Sequence, residues 1–127
     1  MSEGKNIYIL GAGGHGKVVA EVIRGNSLFE NIQFLDERFP ESVSFGDYSI
    51  VGACLDFRRY LSDTVSFFVA IGDNRARQRL FDLLQADCAR CPPIICASST
   101  ISSLANCGSG SIVMPGAIVN ADAQIGN

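Results

Sequence analysis

Asn6-Ile7-Tyr8-Ile9-Leu10-Gly11-Ala12-Gly13-Gly14-His15-Gly16-Lys17 decides how the rest of the chain is read. Four apolar residues, bounded by polar Lys5 and Asn6 and then by glycines, predict a short buried parallel strand with a helix opening directly off it. Gly11, Gly13 and Gly16 have the G-x-G-x-x-G spacing. The first glycine permits a tight turn, the second lets a ligand approach the backbone, and the third lets helix and strand pack closely. A helix N-terminus whose free amides point out of a side-chain-free loop attracts phosphate, so Gly11, Gly13, Gly14, His15 and Gly16 are the first candidate binding group. Such turns also connect strands to helices that bind nothing, so the motif needs support from elsewhere in the chain.

Beyond the loop, Val18, Val19, Val22 and Ile23 recur at helical spacing opposite Lys17, Glu21 and Arg24, predicting an amphipathic helix over 16–24 stopped by Gly25-Asn26. A second strand over 32–35 runs into Asp36-Glu37, about 20 residues past the last loop glycine, where dinucleotide-binding folds bond a ribose. A plain polar turn is the competing reading of that acidic pair. Residues 38–52, with Pro40 and Gly46, read as a loop or hairpin region holding a strand over 48–51, and 55–61 as a short helix. Val65 to Ile71 is the strongest strand pattern in the chain and closes on Gly72-Asp73-Asn74. Asn74 suits the cap of a helix over 75–86 with Ala76, Leu80, Leu83 and Leu84 on its apolar face. The glycine loop, Asp36-Glu37 and Gly72-Asp73-Asn74 thus follow the C-terminal ends of three predicted strands, which in an open parallel sheet line one crevice. Arg77 reads either as a further anion contact or as part of a solvated helix face.

Composition narrows the class. The 127 residues, 47% of them apolar, suffice for one ordinary domain with an appendage. A formal charge of −3 and the lack of like-charge runs point away from nucleic acid and from membrane surfaces. No apolar stretch approaches the roughly 20 residues of a membrane span, and the N-terminus lacks a signal-peptide layout, so a cytoplasmic protein is expected. Five cysteines, at 54, 88, 91, 96 and 107, form an odd set that fits reduced thiols. Cys88-Ala89-Arg90-Cys91 has the spacing of half a zinc site or a redox pair. With no second pair, and with His15 the only histidine, no metal is expected and these cysteines read as small residues at a domain edge. Pro92-Pro93 marks a boundary, and Ile94-Ile95-Cys96 reads as a last edge strand.

After residue 98 the period changes. Ile101, Cys107, Val113, Val119 and Ile125 recur every six residues, and two places before each stands Ser99, Ala105, Ser111, Ala117 or Ala123. Hexads of an aliphatic residue with a small partner mark a parallel β-helix in which one hexad forms one face of a triangular coil. The sequence therefore divides into an α/β unit with a Rossmann-like parallel sheet over 1–96 and the first coils of a β-helix over 97–127. Three hexads close one coil, so Asn127 falls in the second, and an incomplete helix with an open ladder edge is expected.

Together, Gly11-Ala-Gly-Gly-His-Gly-Lys17, Phe34-Leu-Asp36, Val69-Ala-Ile-Gly-Asp-Asn74 with Arg77, and the hexads through Met114-Pro-Gly-Ala-Ile-Val-Asn120 resemble the sugar acyltransferases related to NeuD and PglD. The resemblance covers essentially the whole chain. It implies a first domain that binds a UDP-linked amino sugar and a left-handed β-helix that forms a homotrimer and holds acetyl-CoA between coils. It also implies a histidine general base in the β-helix, at a position beyond those matching Val119-Asn120. No catalytic base is therefore expected among these 127 residues, with His15 a weak candidate. By themselves they are expected to bind nucleotide sugar and to transfer acetyl poorly or not at all. In this reading the amides from Gly13 to Gly16 meet the pyrophosphate, Asp36 and Glu37 the uracil or ribose, and Gly72, Asp73 and Asn74 form the opposite wall. Two alternatives use the same pocket: an NAD-binding module of an oxidoreductase, and a non-catalytic nucleotide-sugar-binding protein. The hexads count against the first, since they supply no hydride-transfer machinery.

Overall fold

A computed structural model describes residues 6–26, 29–96, 99–103, 105–114, 117–119 and 124–125. The apolar run forms strand β1 (Asn6–Leu10), followed by helix α1 (Gly14–Asn26), strand β2 (Asn31–Leu35) and a hairpin of β3 (Ser44–Phe45) and β4 (Tyr48–Gly52). A 3-10 helix (Cys54–Tyr60), strand β5 (Val65–Val69) and helix α2 (Asn74–Ala86) complete the unit. The sheet order is β3-β4-β2-β1-β5, with β1 parallel to both β2 and β5 and β2 parallel to β4. Strand order reverses between β1 and β5, because the chain steps outward through β2 and β4 and then returns to the other side of β1. That reversal opens a crevice at the C-terminal ends of the two strands.

Period-two alternation splits the buried side chains between the two faces. Ile7 and Ile9 of β1, Phe34 of β2, Ile50 of β4 and Phe68 of β5 pack with Val19, Ala20, Val22 and Ile23 of α1. Leu10, Leu35, Val65, Phe67 and Val69 face the other way, against Cys54 and Phe57 of the 3-10 helix and Leu84 of α2. Phe34 is fully buried and meets the rings of Phe45 and Tyr48 edge-on. Full burial of one such side chain contributes ~1.5–3 kcal/mol, so this cluster fixes the β3–β4 hairpin on the sheet.

Several boundaries differ from the sequence reading. Helix α1 starts at Gly14, two residues before Gly16, inside the glycine run. Strand β5 ends at Val69, whose partner is Leu10, the last residue of β1; Ala70 adds one more bond, from its N–H to the Leu10 carbonyl. Asp73, not Asn74, caps α2: its carboxylate accepts the Arg75 N–H at 3.1 Å, while Asn74 is already helical.

The larger difference concerns Ile94-Ile95. It is not an edge strand of the first sheet. After α2 the chain touches β5 through a single parallel bridge between Arg90 and Ser66. Strand β6 (Ile94–Ile95) then pairs in parallel with β9 (Ile112–Val113), β7 (Thr100–Ile101) with β10 (Ile118–Val119), and β8 (Asn106–Cys107) with β11 (Gln124–Ile125). The two-residue strands recur every six positions, and each pairs with the strand 18 positions later. Val113 is buried at its hexad position, and Ile101 and Cys107 are half-buried. The six-residue period therefore begins one hexad earlier than the aliphatic pattern suggested. Ile95 stands at the position six before Ile101 and pairs with Val113, but the residue two places before it is Pro93 rather than a small residue, so the aliphatic-plus-small pattern does not extend back to it.

The cysteines give a direct check on this packing. Burial, aided by the nearby charges of Glu37 and Asp36, pushes the Cys54 thiol up to about 12, and burial pushes Cys91 up to about 11. Cys88 is exposed. A thiol-specific disulfide reagent at pH 8 is expected to label Cys88 promptly in the native protein, and Cys54 and Cys91 only after denaturation, because thiolate is the reacting form. Equal labelling rates for Cys54 and Cys88 would show that the 3-10 helix does not cover the sheet as described.

Candidate functional site

The candidate site is the crevice between β1 and β5. A cavity of about 330 Å³ lies there, lined by Gly11, Ala12, Gly13, Asp36, Arg38, Ala70, Ile71 and Gly72. Backbone bonds set its floor: the Gly11 N–H donates to the Leu35 carbonyl and the Ala70 N–H to the Leu10 carbonyl, each at 2.8 Å. A larger cavity of about 700 Å³ lies at the other ends of the strands, lined in part by Asn6, Arg24, Glu30 and Tyr48, away from the glycine loop.

The glycines divide by what surrounds them. Gly11 has φ +113°, and a Cβ there would stand 2.7 Å from the Ala70 carbonyl oxygen. At Gly16 a Cβ would stand 2.2 Å from the Gly11 carbonyl oxygen and 3.1 Å from the Phe34 ring. These two let helix, turn and sheet approach one another. Gly13, Gly14 and Gly72 have no atom within 4 Å of an added Cβ, so the loop's outer face looks onto open space. The Lys17 N–H donates to the Gly13 carbonyl at 3.0 Å. Amides earlier in α1 lack an intrahelical acceptor, as at any helix start, and face an anion favourably.

Asp36 is tied into the loop itself. Its Oδ2 accepts the Ala12 N–H at 2.7 Å, and its Oδ1 accepts both the backbone N–H and Nε of Arg38 at 2.9 Å. Arg38 Nη2 donates to the Ala12 carbonyl. Burial alone would raise the Asp36 carboxyl, but hydrogen bonds from the Arg38 side chain and from the Ala12 and Arg38 amides outweigh it and hold the group below its ordinary value. The acidic residue at the end of β2 thus clamps the glycine turn to the next loop.

The other sequence-predicted residues fall around this centre. His15 is exposed on the first turn of α1, Glu37 and Asp73 on loops, and Asn74 at the start of α2; none lines the cavity. Arg77 donates to the Ile71 carbonyl at 3.2 Å and to Asn74 Oδ1, bracing the turn after β5. Arg38 was not singled out from sequence. Its position two residues after Asp36 is ordinary loop spacing, and only the fold turns it back onto Ala12. Among the described residues, no group of three or more His, Cys, Asp or Glu side chains lies together to hold a metal ion, and no helix is long and apolar enough to cross a membrane.

A mostly parallel sheet of this order, with a glycine turn at the reversal point and a carboxylate anchored to it, defines an α/β unit of the Rossmann-like class. Within that class the chain belongs to the family described as the PglD N-terminal domain, which matches residues 6–84. It is 36% identical over 113 residues to the UDP-N-acetylbacillosamine N-acetyltransferase of Bacillus subtilis strain 168, covering 87% of this chain and 51% of that protein. The chain therefore spans about half the length of this curated relative. Among solved structures it resembles the acetyltransferase domain of PglB from Neisseria gonorrhoeae in complex with acetyl coenzyme A, with a TM-score of 0.88 and 33% identity over 97% of this chain and 59% of that one. It also resembles PerB from Caulobacter crescentus in complex with CoA and GDP-perosamine, with a TM-score of 0.83 and 32% identity over 96% of this chain and 57% of that one.

Proposed function

We propose that this chain is the nucleotide-sugar-binding portion of an acetyl-CoA-dependent sugar N-acetyltransferase acting on a UDP-linked amino sugar. The observation that carries the reading is the extent of the likeness to the PglB acetyltransferase domain: it covers 97% of the chain and so takes in the ladder segment as well as the α/β unit. One relative is named as a UDP-N-acetylbacillosamine N-acetyltransferase, one similar structure holds acetyl coenzyme A and another holds CoA with GDP-perosamine, which favours this reading over an NAD-dependent one.

The open faces of Gly13 and Gly14 and the start of α1 receive the diphosphate, with His15 beside them. Asp36 and Glu37 lie towards the nucleoside, and Gly72, Asp73 and Asn74, braced by Arg77, form the far wall. The strands pairing 18 positions apart are the opening coils of a left-handed β-helix, which this reading expects to form a homotrimer and to bind acetyl-CoA between coils. The division between the two units falls near residue 96, with Ile94-Ile95 contributing the first rung.

In the reaction the sugar amine attacks the thioester carbonyl carbon, the C–S bond breaks, CoA leaves as thiolate, and the nitrogen's proton passes to a base. Removing general-base assistance costs typically ~10²–10⁴-fold in rate, and His15 is the only histidine in these 127 residues. Calorimetry with UDP, GDP, UDP-sugars and NAD tests the binding half. UDP or a UDP-amino sugar should bind and NAD should not; tight NAD binding without nucleotide-sugar affinity overturns the proposal. In single-turnover assays the 127-residue chain is expected to transfer acetyl at least ~10²-fold more slowly than the Bacillus subtilis relative.

A further inference from the structure

Asp36 was expected to meet the nucleoside, yet both of its oxygens already accept protein donors. With three hydrogen bonds in place, a carboxylate with roughly four acceptor positions has about one left. The side chain it holds, Arg38, is in the opposite condition. Nε is committed to Asp36 and one Nη2 proton to the Ala12 carbonyl. Among the described residues nothing else engages the guanidinium, so its Nη1/Nη2 end keeps a pair of parallel donors. That planar fork matches two oxygens of one phosphate. Arg38 borders the cavity beside Gly13, and its side chain is 56% exposed, so a ligand reaches it without displacing protein. Two protein acceptors on one edge of the group fix its plane before any ligand arrives, which removes most of the ordering cost that a free arginine incurs.

We infer that Arg38 is a ligand-contacting residue that grips the diphosphate of the bound nucleotide through its free Nη1/Nη2 fork, with Asp36 acting as the positioning residue that aims it. The inference rests on the nucleotide-sugar reading and deepens it. It applies to the diphosphate common to UDP- and GDP-linked sugars, and it requires no particular base. It also gives the anion a cation beside the acidic pair Asp36-Glu37, which would otherwise repel it.

The test compares UDP with uridine by calorimetry on the 127-residue chain, using wild type, Arg38→Gln and Arg38→Lys. GDP with guanosine replaces that pair if GDP is the nucleotide that binds. Arg38→Gln is expected to lower diphosphate affinity by on the order of 10–100-fold, the range for a lost charge-assisted bond, while nucleoside affinity stays within about twofold. Arg38→Lys keeps the charge but not the fork and should recover only part of the loss. A diphosphate-to-nucleoside affinity ratio that stays at its wild-type value in Arg38→Gln overturns the inference. That holds whether both ligands weaken together, as for a mere prop of the loop, or neither does. If wild type binds neither diphosphate, the nucleotide-sugar reading itself has failed, and that outcome is distinct from a wild type that binds and an Arg38 variant that binds equally well.

Discussion

Gly16→Ala is expected to destabilise the protein by about 2–3 kcal/mol, the upper part of the range for forcing atoms into a packed contact. The new methyl carbon would stand 2.2 Å from the Gly11 carbonyl oxygen. That atom belongs to backbone held on both sides of Gly11: the preceding peptide by the Gly11 N–H bond to the Leu35 carbonyl and the Ala70 N–H bond to the Leu10 carbonyl, and its own peptide by the Ala12 N–H bond to Asp36 Oδ2. Relief therefore requires α1 to lift from the sheet, opening its contacts with Ile9 and Phe34. Alanine's better helix propensity returns at most ~1 kcal/mol. Thermal unfolding should show a midpoint lowered by roughly 10 °C. Gly13→Ala is the control: a Cβ there meets nothing within 4 Å, so stability should change by less than ~0.5 kcal/mol while nucleotide affinity falls. A Gly16→Ala protein that melts with wild type would refute the close helix-to-turn contact, and with it the account of the glycine spacing.

Asp36→Ala should cost ~1–3 kcal/mol of stability, because it leaves the Ala12 amide and its surroundings without their acceptor. It should also weaken nucleotide binding, since Arg38 loses its anchor. The same carboxylate contributes a pH dependence whose sign follows from its lowered folded-state value. Above the ordinary carboxylate value of 3.8 both folded and unfolded states are ionised, and the stabilisation is fully present. As pH falls below 3.8 the unfolded chain takes up the proton first, and the contribution is lost progressively as pH passes through the lower folded value. Asp36→Asn is expected to remove that part of the acid slope. Denaturant titrations of wild type and Asp36→Asn at a series of pH values between about 2 and 6 check it. Parallel curves for the two proteins across that range would exclude Asp36 as the clamp.

Strands β1, β2 and β5 and both helices were legible in the sequence because each has a local cause: a short, mostly apolar run closed by glycine or by an acidic pair, or an amphipathic period of 3.6. The separate duties of the glycines could be read in part. Spacing alone suggested that Gly16 serves close packing, and its surroundings agree, whereas at Gly13 the structure shows open space beside the loop. Capping of α2 was misassigned by one residue because Asp73 and Asn74 are both good capping types. The choice between them depends on where the backbone leaves β5, and no local pattern records that. Arg38 escaped notice for a similar reason: it is one exposed arginine in a loop until β2 and β1 are placed side by side.

By itself the sequence determined the order of elements, the faces they bury, the glycine turn and the six-residue period of the final segment, since all are encoded in neighbours a few positions apart. Only the tertiary structure decided which groups meet across the sheet. Asp36 reaches Ala12 over 24 positions, and Ile94 leaves the first sheet to pair with Ile112, 18 positions on. The physical reason is that periodicity constrains which way a side chain points, whereas its partner depends on strand order and register. Those are set by how the whole set of apolar faces is buried at once.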